Sequence, residues 1–155
     1  MKRILFYILF ILFFIVKGNA QNNSATSIDQ ISVGSKLFID ALPYTNDINK
    51  YSFNKEKIDE LAAFLKKHTN LYVEINCYSD FIDPSLMNLM ATAEQAMEIR
   101  TYLVTKGVEG SRVETIGNGD MYPIYEEYEL DKMTPEKRAE ASLKNRRIKV
   151  KFVKL

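Results

Sequence analysis

Apolar positions along the chain change period several times, and each change marks an element. Leu37, Ile39 and Ala41 alternate with Phe38 and Asp40, which predicts a first strand over Lys36–Leu42. Pro43 stops it, and Tyr44–Ser52 reads as a polar loop. Asn54 is placed to cap a first helix, because its side chain can accept from free amides at the helix start. Ile58, Leu61, Ala62 and Leu65 then recur at helical spacing until about His68–Asn70. Leu71, Val73 and Ile75 return to alternation and predict a central strand. Phe81–Leu86 reads as a loop, with Asp83-Pro84 as its turn. A second helix is expected from about Ser85 to Lys106, with Leu89, Ala93, Ala96, Ile99 and Leu103 as its buried stripe and Gly107 as its stop. Arg112–Ile116 predicts a third strand, and Gly117–Asp120 a loop. Met121–Asp131 is rich in tyrosine and acid. Thr134-Pro135-Glu136 opens a third helix as cap, first-turn proline and first-turn acid. Ile148–Phe152 alternates again, with its lysines facing water. Strands separated by helical segments predict an α/β sandwich, β-α-β-α-β-α-β, with the helices packed on one mixed parallel and antiparallel sheet.

The beginning of the chain belongs to a different class of segment. Lys2-Arg3 precedes an apolar run from Ile4 to Val16, roughly 13 residues, and Gly18-Asn19-Ala20 supplies small residues before a cleavage point. The run is shorter than the ~20 residues of a membrane span. The expectation is a signal peptide over 1–20, cut before Gln21; the alternative is an uncleaved anchor. A Ser/Asn-rich flexible leader follows over 21–35, and one domain over 36–155. With no cysteine after the apolar run, the reading is a soluble exported protein and not a lipoprotein. Losing Lys2, Arg3 and Lys17 changes the net charge from +1 to −2. Neither value suits a nucleic-acid partner, which needs a concentrated basic surface. The single cysteine, Cys77, permits no internal disulfide and reads as a buried thiol at a strand end.

The candidate chemistry gathers around one carboxylate. Asp80 ends the run Ile75-Asn76-Cys77-Tyr78-Ser79-Asp80, Asn88 follows near the start of the second helix, Gln95-Ala96 lies further along it, and Asn145-Arg146-Arg147 precedes the last strand. This order resembles the OmpA-like domain, the peptidoglycan-associating module of bacterial envelope proteins, from about Leu37 to Val153. The resemblance implies a site for the diaminopimelate side chain of a stem peptide, whose free end carries an ammonium and a carboxylate on one carbon. Asp80 takes the position of the aspartate that holds the ammonium, and Asn88 that of the following asparagine. The arginine that would hold the carboxylate falls on Gln95, while Ala96 keeps the alanine after it. Ser79 stands for the usual threonine, Tyr78 for a common histidine and Cys77 for a common glycine. Glutamine offers one neutral amide where arginine offers a charged planar fork. Truncating one member of a desolvated pair costs about 2–5 kcal/mol, roughly thirtyfold to a few thousandfold in affinity. The resemblance therefore makes Arg146 or Arg147 the replacement cation. Arg100, five residues beyond Gln95, points to another side of the helix.

Plainer roles stand beside these. Asp80 can close an Asx turn, Asn88 can brace a loop, and Arg146 and Arg147 can pair with Glu136 and Glu140. His68 suits a contact with a helix C-terminus. No Cys–His neighbourhood, metal-spaced histidine set or phosphate-cradling glycine loop occurs, so neither an enzyme nor a cofactor is implied. The functional expectation is a periplasmic, outer-membrane-associated protein of a Gram-negative envelope that binds peptidoglycan non-covalently through Asp80, Asn88, Gln95, Arg146 and Arg147. The competing expectation is a degenerate module that has lost wall binding and docks to an envelope protein complex, using Tyr122, Tyr125 and Tyr128.

Overall fold

The computed structural model describes residues 34–40, 52–81 and 85–154. The expected signal peptide, most of the leader, Ala41–Leu42 of the first strand and nearly all of the Tyr44–Ser52 loop lie outside the described residues. Strands β1 (Lys36–Asp40), β2 (Leu71–Tyr78), β3 (Val113–Gly117) and β4 (Arg147–Lys154) form one sheet in the order β1-β4-β2-β3. β4 is antiparallel to both neighbours, and β2 and β3 are parallel. The mixed sheet expected from the sequence is present. Gly34 and Ser35, assigned to the leader, already bond to Phe152 at 2.9 and 3.1 Å.

Helices α1 (Lys55–Lys67) and α2 (Ser85–Thr105) cover one face of the sheet. Val73, Ile75 and Cys77 of β2 and Ile148, Val150 and Phe152 of β4 point into the core. They meet Ile58, Leu61, Ala62 and Leu65 of α1, and Ala96, Ile99 and Leu103 of α2 complete the layer. Asn54 caps α1 by accepting from the Lys57 amide at 3.1 Å, as its position predicts. At the other end of α1, buried Arg112 donates to the carbonyls of Leu65, His68 and Leu71. That guanidinium satisfies helix-end acceptors that would otherwise need water. His68 is the C-cap, and its ring lies 4.3 Å from that of Phe64.

Two expectations need correction. The inner stripe of α2 was placed on Leu89, Ala93, Ala96, Ile99 and Leu103, but Leu89 and Ala93 are exposed. The first half of α2 instead buries Asn88, Thr92 and Gln95. Apolar periodicity alone misplaces the helix here, because its polar residues have buried partners. The second correction concerns Met121–Asp131, expected as an acidic loop. It contains a one-turn helix, α3 (Glu127–Leu130), held by a reciprocal capping box between Glu126 and Glu129. The helix opened by Thr134-Pro135 is then α4 (Pro135–Asn145).

The approach of α2 to the end of β3 fixes the neighbourhood of the site. A Cβ on Gly117 would lie 2.3 Å from the Ala93 nitrogen. Only a residue without a side chain permits that contact.

Candidate functional site

Four segments converge on Asp80: the end of β2, the first turn of α2, the loop after β3 and the last turn of α4. Asp80 is 3% exposed. Its Oδ2 accepts from Arg146 Nε at 2.7 Å and from Ser142 Oγ at 3.3 Å. Ser142 precedes Arg146 by four residues, so one helical face delivers both donors. Asp80 Oδ1 accepts no hydrogen bond from the described residues. None of their buried side-chain polar atoms lacks a partner, so Oδ1 is the edge that reaches solvent. The Asp80 carboxylate closes no Asx turn among the described residues; it serves an ion pair.

Asn88 braces this arrangement from α2. Its Nδ2 donates to the Asp80 carbonyl at 3.0 Å, and its Oδ1 accepts from Ser79 Oγ at 3.0 Å. The Ser79 amide bonds to the Gly119 carbonyl at 2.7 Å, and the Gly119 amide donates to Thr92 Oγ1 at 2.9 Å. Asn88 and Thr92 thus tie the two loops together on one helix face. Ser85 Oγ donates to Asp120 Oδ2 at 2.7 Å and closes the outer side.

The Asn145-Arg146-Arg147 run divides its work among three segments. Asn145 is fully buried, and its Oδ1 accepts from the amides of Ile124 and Tyr125 at 2.8 and 2.9 Å. Its Nδ2 returns a bond to the Tyr125 carbonyl at 2.9 Å. Arg146 reaches Asp80 through Nε. Its two terminal nitrogens make no hydrogen bond to the described residues, and its side chain is 21% exposed. Arg147 donates to the carbonyls of Asn145 and Tyr122 at 2.9 and 2.7 Å, and its guanidinium lies 3.9 Å from the centre of the Tyr78 ring. Burial pushes the Arg147 pKa down, but arginine stays charged in proteins. Neither arginine pairs with Glu136 or Glu140.

Tyr122 is held with φ 60° and is 73% exposed. A non-glycine residue in that region costs of order 1–3 kcal/mol and persists only where its surroundings over-determine it. Here Arg147 holds the carbonyl, while Asn145 holds the amides of Ile124 and Tyr125 just beyond Pro123. Tyr128 is also exposed and Tyr125 is half-buried.

Of the five residues singled out from the sequence, the structure brings Asp80, Asn88 and Arg146 together. Arg147 stands one residue away and supports the Tyr122 turn. Gln95 is buried and donates from Nε2 to the Ser52 carbonyl at 2.6 Å. It is not among the partners of Asp80. Sequence reasoning passed over Ser142, which a step of one helical turn back from Arg146 would have found. It also passed over Tyr78 as the platform for Arg147. Among the described residues no cluster of His, Cys, Asp and Glu is arranged to hold a metal, and no helix is long and apolar enough to cross a membrane.

The chain is 34% identical over 95 residues to the peptidoglycan-binding protein ArfA of Mycobacterium tuberculosis, an alignment covering 61% of this chain and 26% of ArfA. It is 30% identical over 94 residues to the peptidoglycan-associated lipoprotein of Rhizobium meliloti, covering 61% and 51% of the two chains. The chain thus spans about a quarter to a half of these relatives. Among solved structures, the peptidoglycan-associated lipoprotein of Burkholderia pseudomallei superimposes with a TM-score of 0.56 at 21% identity, over 74% of this chain and 88% of that one. The periplasmic domain of Helicobacter pylori MotB gives 0.57 at 18% identity, over 81% and 79%. Both share the fold. The OmpA family profile matches residues 47–141, more than half of the sequence, and the chain belongs to the OmpA family.

Proposed function

We propose that this protein binds peptidoglycan non-covalently, by gripping the zwitterionic end of a diaminopimelate-containing stem peptide between Asp80 and Arg146. The observation that carries the reading is the half-used ion pair. Asp80 spends Oδ2 on Arg146 and leaves Oδ1 to solvent, while Arg146 spends Nε and leaves both terminal nitrogens. The pair therefore offers an acceptor for an ammonium beside a two-pronged donor for a carboxylate. A ligand with both groups on one carbon matches that spacing. Terminal guanidinium nitrogens bind carboxylates with two parallel bonds, so Arg146 supplies the fork that Gln95 lacks. Asn88 and Ser142 hold the two charges in place and do not need to touch the ligand. The names of ArfA and of the lipoproteins support the same ligand class. Binding of this kind fits an exported protein facing the periplasm, in accord with the apolar leader of the sequence.

The second reading, a module that docks to an envelope protein complex, is favoured by Gln95. Its amide is committed to the Ser52 carbonyl, so the position offers no cation to a ligand. Exposed Tyr122 and Tyr128 would then carry the contact.

Co-sedimentation with isolated sacculi separates the two. The wild-type protein pellets with diaminopimelate-type sacculi, and Asp80→Asn, which keeps the shape and the bond from Arg146, falls to background. Equal pelleting of the two proteins removes Asp80 from the mechanism, and no pelleting by either favours the docking module.

A further inference from the structure

The loop after β3 contains the one Asn-Gly pair of the sequence, Asn118-Gly119. The fold requires the glycine. Gly119 has φ 56°, and a Cβ there would stand 3.0 Å from the Leu89 nitrogen of α2. The Met121 amide closes the turn by donating to the Asn118 carbonyl at 3.1 Å. An asparagine before glycine is chemically exposed, because no side chain on the next residue keeps its backbone nitrogen from the asparagine side-chain carbon.

Asn118 holds its amide loosely. Its Nδ2 donates to Asn76 Oδ1 and to the Cys77 and Ile116 carbonyls at 3.3, 3.4 and 3.5 Å, all longer than an ordinary N–H···O bond. The other buried asparagines differ on both counts. Asn76, Asn88 and Asn145 donate at 2.8, 3.0 and 2.9 Å, and Cys77, Leu89 and Arg146 follow them. At the Asn-Gly pair the atom held tightly is the nitrogen. The Gly119 amide donates to Thr92 Oγ1 at 2.9 Å, and that hydroxyl is fixed in turn by donating to the Asn88 carbonyl at 2.8 Å.

We infer that Asn118 is a site of spontaneous deamidation and that Thr92 is the latch that holds the reaction back in the folded protein. This inference is independent of the wall-binding reading. The Gly119 nitrogen loses its proton to base and attacks Cγ of Asn118. The new N–Cγ bond closes a cyclic imide, and Nδ2 leaves as ammonia. Water then opens the ring at either carbonyl, leaving aspartate or isoaspartate; nothing is oxidised or reduced. The product does not fit. A carboxylate at this position, 8% exposed, turns negative charge toward the three oxygens that now receive Nδ2. An isoaspartate also lengthens the backbone beside Gly119, whose carbonyl accepts from the Ser79 amide at 2.7 Å. Deamidation thereby loosens the residue next to Asp80.

Incubation in mildly alkaline buffer, followed by peptide mass analysis, tests this. The chain unfolded in guanidinium gains both isoaspartate and aspartate at position 118, the mark of an imide. The folded wild type reacts more slowly by about tenfold or more, because opening of the loop must precede attack. Thr92→Val removes the latch and speeds the folded reaction roughly fivefold to thirtyfold, whereas Thr92→Ser, which keeps a hydroxyl, stays near wild type. Ile58→Val weakens the core elsewhere and leaves the rate near wild type. In Asn118→Asp, amide exchange at Ser79 and Gly119 quickens by about tenfold or more. No isoaspartate in the unfolded chain, a folded wild type as fast as the unfolded one, no acceleration in Thr92→Val, or equal acceleration in Ile58→Val each overturns the proposal. Unchanged exchange in Asn118→Asp overturns the link to the Asp80 loop. No readout involves peptidoglycan, so failure here leaves the Asp80 reading untouched.

Discussion

Arg146 approaches Asp80 side-on, giving Nε to Oδ2 at 2.7 Å and keeping its terminal nitrogens out of the pair. Arg146→Lys therefore preserves a positive charge near Asp80 but removes the fork. The expected outcome is a protein that melts close to wild type and binds a diaminopimelate-containing muropeptide at least tenfold more weakly, about 1.4 kcal/mol or more. Isothermal titration alongside a thermal melt checks it. Unchanged affinity would mean that the carboxylate is held elsewhere.

Gln95 should behave in the opposite way. Gln95→Ala strips the Ser52 carbonyl of a 2.6 Å donor in a buried setting. Leaving such a group unsatisfied costs about 1–3 kcal/mol. Urea unfolding should report that loss, while sacculus binding of the folded protein stays within about threefold of wild type. A large binding defect without a stability defect would return Gln95 to the ligand site.

The contact between Gly117 and Ala93 predicts a sharp steric effect. Gly117→Ala forces α2 away from the end of β3, because the new methyl meets helix backbone and not a movable side chain. Overpacking of this kind costs about 1–3 kcal/mol and occasionally more. Its effect should reach Asn88 and Thr92, which tie α2 to the loops at Asp80. Amide exchange at Ser79 and Gly119 should quicken together.

Cys77 supplies a pH-dependent prediction. Burial pushes its thiol from an ordinary value of 9.0 up to about 12. The folded state therefore keeps its proton where the unfolded chain releases it. Between pH 9 and about 12 the unfolded state binds fewer protons, so stability falls as pH rises through that window and is fully present below it. Denaturant titrations of wild type and Cys77→Ala at pH 8 and pH 10 should diverge in this direction. The native thiol should also resist alkylation at pH 8 and react once unfolded.

The sheet and the two long helices were legible because alternation and helical spacing are loud where both sides of an element agree. Val73 and Ile75 in β2, and Ile148, Val150 and Phe152 in β4, point where period two puts them. The start of α2 was not legible, since Asn88, Thr92 and Gln95 are buried with partners in distant loops while Leu86 and Met90 face outward. A rule that sends apolar residues inward fails at a polar seam whose hydrogen bonds are non-local. In the site, the motif pointed to Asp80 and Arg146 as opposite charges for a ligand, but not to the direct bond between them. That Asn145 would template Ile124 and Tyr125, and that Arg147 would be occupied by carbonyls and the Tyr78 ring, depended on a loop path that no local pattern encodes.

β4 is the last strand in sequence but an interior one in space, with β1 on one side and β2 on the other. A pull on the chain's end along the strand would have to shear two ladders at once, and at its inner end the neighbouring Arg146 is anchored to Asp80. Under the wall-binding proposal, that layout places resistance to tension in the same stretch of chain that holds the charge pair.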